Sequence, residues 1–484
     1  MQQQVINIHT LIKITLISIL TVLAHWNIWS IGVYAIGWNT TLFWLSVCYL
    51  AWINDSSLSM KRDWQWILPI MLTTLSFSLF ENLWLKLISC FLLPLATALF
   101  YGYSQIINRK DYYWNVDLIN ALCNRVTLPL HFIDDAWETL SPIIKNLFGE
   151  SKSQLGKRII KGVLILLPIA ALVLVLLSSA DQAFSHIIET FSYKFFLNFS
   201  WTFFAKILCI VILILGLVSS IHAWQQPVDY DGIKSNDIVA TTNIDSVVAG
   251  IVMAGITAIY GLFLWLQLEH LIVDSLPIDF TQAEQIVKSG FWQLFFLSIL
   301  NVVLFFIIYK NTTNTAQIIL RIFIIASGFL LLSAAWRMSL YVYYYGLSHE
   351  KFFASYTTIF ALFVFIYLVI ASFQQKRKNI FRFIAFCSLW SYGIATILPI
   401  EKIILNTNVQ LAESNDTRIN LIHLQALSVD ALKDIQELRE ENTTDSQFLT
   451  NNDLAWNSWL IKKKQYDCTR AWYEQNLSLV LNCH

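Results

Sequence analysis

Apolar runs of membrane-spanning length follow one another from Leu11 to Ile400, about eleven in all, separated by short polar gaps. They lie at roughly 10–27, 34–53, 64–80, 83–104, 159–179, 201–223, 246–268, 290–309, 318–336, 352–373 and 382–400. About 20 apolar residues carry a helix across the hydrocarbon core. Backbone groups cannot stay unpaired in lipid, so these runs are predicted to be helices. Glu81 and Asn82 alone divide the third run from the fourth, which predicts a tight helical hairpin. Gly32 and Gly37 lie where the first two runs meet, and the turn can fall anywhere between Trp26 and Asn39. The first run has little basic residue before it and stays apolar, so it reads as a retained anchor rather than a leader. Beyond Ile400 the hydrophobicity stops, and a polar tail of about 80 residues follows.

Two polar stretches carry patterns of their own. In segment 106–157, Ile119, Leu122, Val126, Leu130, Ile133, Trp137, Leu140, Ile144 and Leu147 recur at steps of three and four, one face of an amphipathic helix. Pro129 and Pro142 are expected to break it into two or three pieces, because proline lacks the amide donor. Such helices either lie in the headgroup region or dock a partner. In the tail, Ile419, Ile422, Leu424, Leu427, Leu432, Ile435 and Leu438 mark a helical stripe, with Ser428 as a cap and Asp430 at its start. Leu454, Trp456, Trp459, Ile461, Tyr466, Trp472 and Tyr473 predict a small helical unit with an aromatic core. The chain therefore divides into N-terminal spans 1–105, a cytoplasmic amphipathic segment 106–157, a main bundle 158–402 and an extracytoplasmic helical tail 403–484. The fold class is all-α, a polytopic membrane helix bundle.

Charge orients the spans. Lys61 and Arg62 follow the second run, and Arg109, Lys110, Arg125, Lys145, Lys152, Lys157, Arg158 and Lys161 lie in or beside the gap after the fourth. Lys310 and Arg321 flank the gap after the eighth, and Lys376, Arg377, Lys378 and Arg382 crowd the gap after the tenth. Alternate gaps hold few basic residues, Lys194 and Lys288 being the main exceptions. Basic residues mark the cytoplasmic side, so the N-terminus is read as inside and the tail as outside. The gap after the sixth run departs from this, with Lys234 against Asp229, Asp231 and Asp237, but acidic residues weigh little in the rule.

Composition agrees with the membrane reading. The chain is 56% hydrophobic and 13% charged, where soluble domains carry about 25% charged residues. Lys+Arg and Asp+Glu are equal at 32 each, so no basic excess points to nucleic acid. The seven cysteines show no CxxC or Cys/His ligand spacing, and neither a structural zinc site nor another metal site is expected. Cys468 and Cys483 are the two cysteines of the outer tail, a compartment that permits disulfides. A bond between them is predicted, worth about 3 kcal/mol in the chain-entropy model.

Ionisable groups cost about 2.5–3.5 kcal/mol each at the membrane centre, so those near spans are candidates for function. Most sit at outer span ends: Glu81, Lys86, Asp181, Lys206, Glu269, His270, Arg337, Glu401 and Lys402. Asp181, Glu269 and Arg337 end odd-numbered runs and emerge on the same side. Arg337, Tyr341 and Tyr345 follow at steps of four and share a helix face. A guanidinium beside two phenols can bind an anionic or planar head group. It can equally snorkel within the interfacial aromatic belt or pair with Asp181. Mid-span acids, which ion-coupled pumps commonly use, are absent from the sequence. No phosphate loop, GxGxxG, GxSxG or HExxH occurs, so no catalytic residue and no cofactor is assigned.

Four words of sequence go further. They are Ser179-Ala-Asp181; Tyr260-Gly-Leu-Phe-Leu-Trp-Leu-Gln267 with Ser289-Gly-Phe-Trp292; Arg337-Met-Ser-Leu-Tyr341-Val-Tyr-Tyr-Tyr345-Gly346-Leu347-Ser348; and Asn415 with Ile422-His-Leu-Gln-Ala-Leu-Ser428-Val-Asp430-Ala-Leu432. Together they resemble the bacterial polytopic membrane proteins of the domain of unknown function 4153/4173 family, from about residue 160 onward. Leu347-Ser348 stands where that pattern has Leu-Thr, and Trp456-Asn457-Ser-Trp459 echoes its final segment loosely. The resemblance implies a fold and a membrane address but no activity. The function expected is that of a bacterial inner-membrane protein without catalysis: a sensor, scaffold or assembly partner meeting the bilayer, lipid head groups or envelope proteins. The alternative is a transporter or flippase-like protein for an amphipathic or anionic substrate.

Overall fold

The structure is a computed structural model that describes residues 7–28, 32–54, 60–104, 116–148, 201–225, 246–271, 295–306, 314–373, 379–412, 421–440 and 453–483. Among the described residues every regular element is helical. The helices are α1 (Ile8–Ala24), α2 (Trp38–Asn54), α3 (Met60–Leu79), α4 (Leu83–Ser104), α5 (Val116–His131), α6 (Ile133–Phe148), α7 (Trp201–Gln225), α8 (Ser246–Leu271), α9 (Phe295–Phe306) and α10 (Asn314–Tyr345). They continue with α11 (His349–Phe373), α12 (Ile380–Ile397), α13 (Ile400–Ala412), α14 (Leu432–Glu440), α15 (Asp453–Asp467) and α16 (Leu477–Cys483). Short 3-10 turns cover Gly32–Ala35, Leu421–Ala426 and Val429–Ala431.

Among the described residues, five segments are long and apolar enough to cross a membrane: Leu83–Tyr101, Ala205–Gln225, Gln317–Tyr345, His349–Phe373 and Ile380–Ile397. Shorter apolar helices cover Ile8–Ala24, Gly250–Leu262 and Phe295–Phe306. The run expected at 159–179 lies outside the described residues. Helix α3 opens on the polar stretch Met60-Lys-Arg-Asp63, which shortens its apolar part. The outward faces are those of a lipid-bathed bundle: Phe91 is 77% exposed, Trp265 71% and Ile359 68%. Apolar exposure on this scale is a liability in water and costs nothing against acyl chains.

Apolar clusters hold the helices together, four of them as follows. Helices α1, α2, α6 and α7 share Ile14, Leu50, Ala136 and Val218, and α2, α3 and α4 share Ile70, Phe77 and Leu93. Helices α8 to α12 close around Tyr260, Phe305, Phe323 and Leu368. Tyr260 Oη donates to Asn301 Oδ1 across this core at 2.6 Å. Helix α10 runs past the expected end at 336 and stops at Gly346, whose φ of 73° is the left-handed turn that ends helices. The fourth cluster joins the membrane to the tail. Leu85, Ile400, Ile404 and Leu405 continue into Leu424, Leu427, Leu432, Ile435, Trp459 and Leu479. The tail core is thus mostly aliphatic rather than aromatic, and it is shared with the helix ends. Helix α13 crosses the boundary drawn at residue 403.

The prolines depart from expectation in an instructive way. Helix α6 runs through Pro142 unbroken, because Ser141 Oγ donates to Glu138 O at 3.3 Å, the carbonyl that a proline four residues on leaves free. Pro69 frees Gln65 O in the same manner, and Trp390 Nε1 of α12 takes it at 2.8 Å. The break between α5 and α6 falls at Phe132, just after Pro129. Ser219 Oγ of α7 donates to the Pro129 carbonyl.

Candidate functional site

Ends of α3, α4, α10, α11 and α13 meet residues 421–440 and 453–483 at a buried polar junction. Its centre is the α3–α4 turn. Asn82 Oδ1 caps α4 by accepting Leu85 N at 3.2 Å, which turns Glu81 inward, and its side chain is 2% exposed. Lys86 Nζ lies 2.7 Å from Glu81 Oε2, and Arg470 Nη1 lies 2.6 Å from Oε1. Asn476 Nδ2 also donates to Oε2. The cations are shared with the backbone of the α1–α2 connection. Lys86 Nζ donates to Ile36 O at 2.6 Å, and Arg470 Nη1 to Tyr34 O at 2.8 Å with its guanidinium 5.3 Å from the Tyr34 ring centroid. Buried ions persist when their remaining hydrogen-bonding groups are filled in this way.

Asp430 docks from the other side. Its carboxylate accepts the Glu81 backbone N–H with both oxygens, at 2.9 and 2.8 Å. As expected, Ser428 caps the element with Asp430 in its first turn: Ser428 Oγ accepts Asp430 N at 3.2 Å. The Asp430 carboxylate in addition bridges to the bundle. Glu401 of α13 anchors the cap. Its Oε2 accepts Ser428 N at 2.6 Å and Ser428 Oγ at 2.8 Å, and its Oε1 lies 3.2 Å from His349 Nε2. Asn408 clamps the α10–α11 turn, accepting Leu347 N at 2.6 Å and donating to Leu347 O at 2.8 Å. A cavity of about 390 Å³ opens beside this wall, lined by Glu401, Lys402, Asp430, Asp434, Glu437 and Ser478 among others.

Burial pushes the Asp430 carboxyl up from 3.8 to about 8, and the Glu401 and Glu81 charges add to the effect. Hydrogen bonds from Ser478 and the Glu81 amide oppose it. Between these two pKa values the folded state holds a proton that the unfolded chain releases, so stability falls as pH rises through that window. The unfolding midpoint of the purified protein is therefore expected to drop between pH 3.8 and about 8. Asp430→Asn, neutral throughout, should flatten that slope, and an unchanged slope in the variant would assign the pH effect elsewhere.

A second contact is made mostly by backbone. Trp38 N donates to Gln475 O at 3.0 Å and Asn39 N to Tyr473 O at 2.8 Å. Asn27 Nδ2 reaches Glu474 Oε1 at 2.7 Å. Gly37 makes the approach possible, since a Cβ there would stand 2.2 Å from Gln475 O.

The ligand residues read from the sequence are placed unevenly. Asp181 lies outside the described residues, and of Glu269 only the backbone, in α8, is described. Arg337 is partly buried on α10 and makes no hydrogen bond or ion pair among the described residues. Tyr341 and Tyr345 do share a face, with ring centroids 5.4 Å apart. The cation seated on Tyr341 is Lys351, 4.0 Å from its ring centroid. Gly346 turns the chain back on itself, and Lys351 Nζ then reaches Tyr345 O at 3.2 Å and Gly346 O at 2.7 Å, where a helix C-terminus attracts positive charge. Lys206 lies over the Trp26 ring at 5.0 Å. Cys468 is disulfide-bonded, whereas the thiols of Cys48, Cys90, Cys123, Cys209 and Cys387 are free. Among the described residues no group of three His, Cys, Asp or Glu side chains is placed to hold a metal ion.

Sequence reasoning marked Glu81, Lys86 and Glu401 as costly groups at span ends, but it missed Arg470, Asn476 and the bridge that Asp430 makes to the Glu81 amide. Arg470 has Asp467 and Glu474 nearby in the chain, so no local signal set it apart.

Among the described residues, these features define an all-helical protein with five helices long and apolar enough to cross a membrane and a C-terminal segment joined to helix ends. The family model described as Domain of unknown function (DUF4153) matches residues 67–438, and the chain belongs to that family. The match begins well before residue 160, where the resemblance was first legible, and it includes Glu81, Lys86, Glu401 and Asp430 but stops short of Arg470 and Asn476. No curated protein and no solved structure matches the chain.

Proposed function

We propose that the chain is a multi-pass protein of the bacterial inner membrane, with its N-terminus inside and its tail outside, acting without catalysis as an envelope sensor, scaffold or assembly partner. The observation that supports this reading is the junction around Glu81. It ties Asp430, Arg470 and Asn476 to the helix ends while leaving Ile461, Trp472 and Leu481 exposed at 63%, 72% and 64%. An anchored outer platform with apolar side chains on its surface suits capture of another envelope component. Pairing of Cys468 with Cys483, whose side chain lies outside the described residues, belongs to the same reading: six of the seven cysteines are accounted for without it. Non-reducing mass mapping should find the Cys468–Cys483 peptide pair in protein from intact cells.

The test is photocrosslinking in living cells from positions 461 and 472, with a reporter fused at His484. The reading requires an outward-facing reporter and discrete protein adducts that disappear when the tail is displaced. An inward-facing reporter, or adducts to lipid alone, would overturn it. The transporter or flippase reading, with Asp181, Glu269, Arg337, Tyr341 and Tyr345 as its site, draws its support from Arg337, a partly buried cation without an ion-pair partner among the described residues.

A further inference from the structure

A second cavity, remote from the tail, lies inside the spans. It measures about 460 Å³ and is walled by Trp66 and Thr73 of α3, Leu92 and Tyr103 of α4, and Phe381 and Tyr392 of α12, with Cys123 of α5 at one end. This is the size and lining of a small-molecule site, about 300–1,000 Å³ and mostly apolar. Its shape follows from the helix register. Leu92 to Tyr103, and Phe381 to Tyr392, each span about 16 Å along a helix at 1.5 Å per residue. The hydrocarbon core is about 30 Å thick, so the cavity runs the depth of one leaflet.

Its chemistry differs from end to end. Two of the wall's hydroxyls are satisfied by protein: Thr73 Oγ donates to Pro69 O at 3.0 Å, and Tyr392 Oη pairs with Ser89 Oγ at 2.8 Å. Most of the remaining lining is apolar. One described cation stands at the Tyr103 end. Arg382 sits in the first turn of α12 with its guanidinium 5.8 Å from the Tyr103 ring centroid. In sequence, Lys376, Arg377 and Lys378 precede it, and Lys61 and Arg62 open α3.

We propose that this cavity holds one acyl chain of an anionic membrane lipid, with the head group against Arg382. The chain matches the apolar depth, and the negative head matches the basic end, which the charge pattern assigns to the cytoplasmic leaflet. A flat apolar face would need no such polarity. The site is independent of the junction around Glu81, and it can stand if the sensor reading falls.

The experiment is native mass spectrometry of the full chain in mild detergent, titrated with phosphatidylglycerol or phosphatidylcholine. Phosphatidylglycerol should be retained about tenfold better, the ratio that one charge-assisted hydrogen bond supplies. Arg382→Gln should bring the two lipids level. Ala385→Phe, which fills the cavity wall, should reduce both to background while its lipid-free unfolding midpoint shows that it has folded. If that variant does not fold, peptide-mapped maleimide labelling of Cys123 in the parent serves instead, and bound phosphatidylglycerol should slow it. Equal retention of both lipids, retention by a folded Ala385→Phe, or unchanged Cys123 labelling would each overturn the proposal.

Discussion

Glu81→Ala is expected to release residues 421–483 from the helix ends. The substitution leaves Lys86 and Arg470, 3% and 4% exposed, facing an emptied site. Removing one partner of a buried ion pair costs about 3–5 kcal/mol, because the remaining charge stays desolvated. Two cations are stranded here, and Asn476 loses its acceptor as well. The spans rest on separate apolar clusters, so helical content should survive while the tail opens. Limited proteolysis with mass mapping reads this directly: cleavage within 453–483 should accelerate strongly in Glu81→Ala and less in Glu81→Gln, which keeps the shape and one acceptor. The triple replacement Glu81→Leu, Lys86→Met, Arg470→Met should recover much of the protection, since apolar residues of similar volume often replace buried ions at little cost. Cleavage of Glu81→Ala at the parental rate would remove the junction from its proposed role.

Gly37→Ala is the second large effect, and its cause is steric rather than electrostatic. A methyl group at position 37 would lie 2.2 Å from Gln475 O and 2.4 Å from Glu474 O. Both are backbone atoms, and neither can swing aside as a side chain would. The tail must retreat, which separates Trp38 N from Gln475 O and Asn39 N from Tyr473 O. Overpacking costs about 1–3 kcal/mol, and each amide left buried without an acceptor adds about 1–3 kcal/mol. Hydrogen exchange should find the Trp38 and Asn39 amides deprotected in the variant, with the α10–α11 core unchanged. Retained protection at both amides would show that the two strands of backbone do not need the glycine.

Much of the fold was legible in the order of residues. The apolar runs at 83–104, 201–223, 352–373 and 382–400 lie on α4, α7, α11 and α12 with ends displaced by a few residues, because lipid demands long uninterrupted helices and their composition shows it. The hairpin at Glu81-Asn82 was equally plain. One reading failed at a proline: α6 runs through Pro142, and the hydroxyl of the neighbouring Ser141 takes the freed carbonyl. On the Tyr341–Tyr345 face, the turn at Gly346 brings Lys351 onto Tyr341, a contact that residue order did not show.

The candidate site was the least legible part. Glu81, Lys86 and Glu401 could be singled out as ionisable groups that a membrane tolerates poorly, and each looked like an isolated rim charge. Glu81 meets Arg470 across 389 residues of chain and Asn476 across 395, and no periodicity spans such distances. The sequence by itself determined the all-helical class and where several long apolar helices run, since these depend on local composition. Tertiary structure alone decided which charged side chains meet, that Asp430 also bridges to the Glu81 amide, and that Gly37 lies against another backbone. Those are contacts between remote segments, and their energies come from desolvation and close approach, which only the folded chain creates.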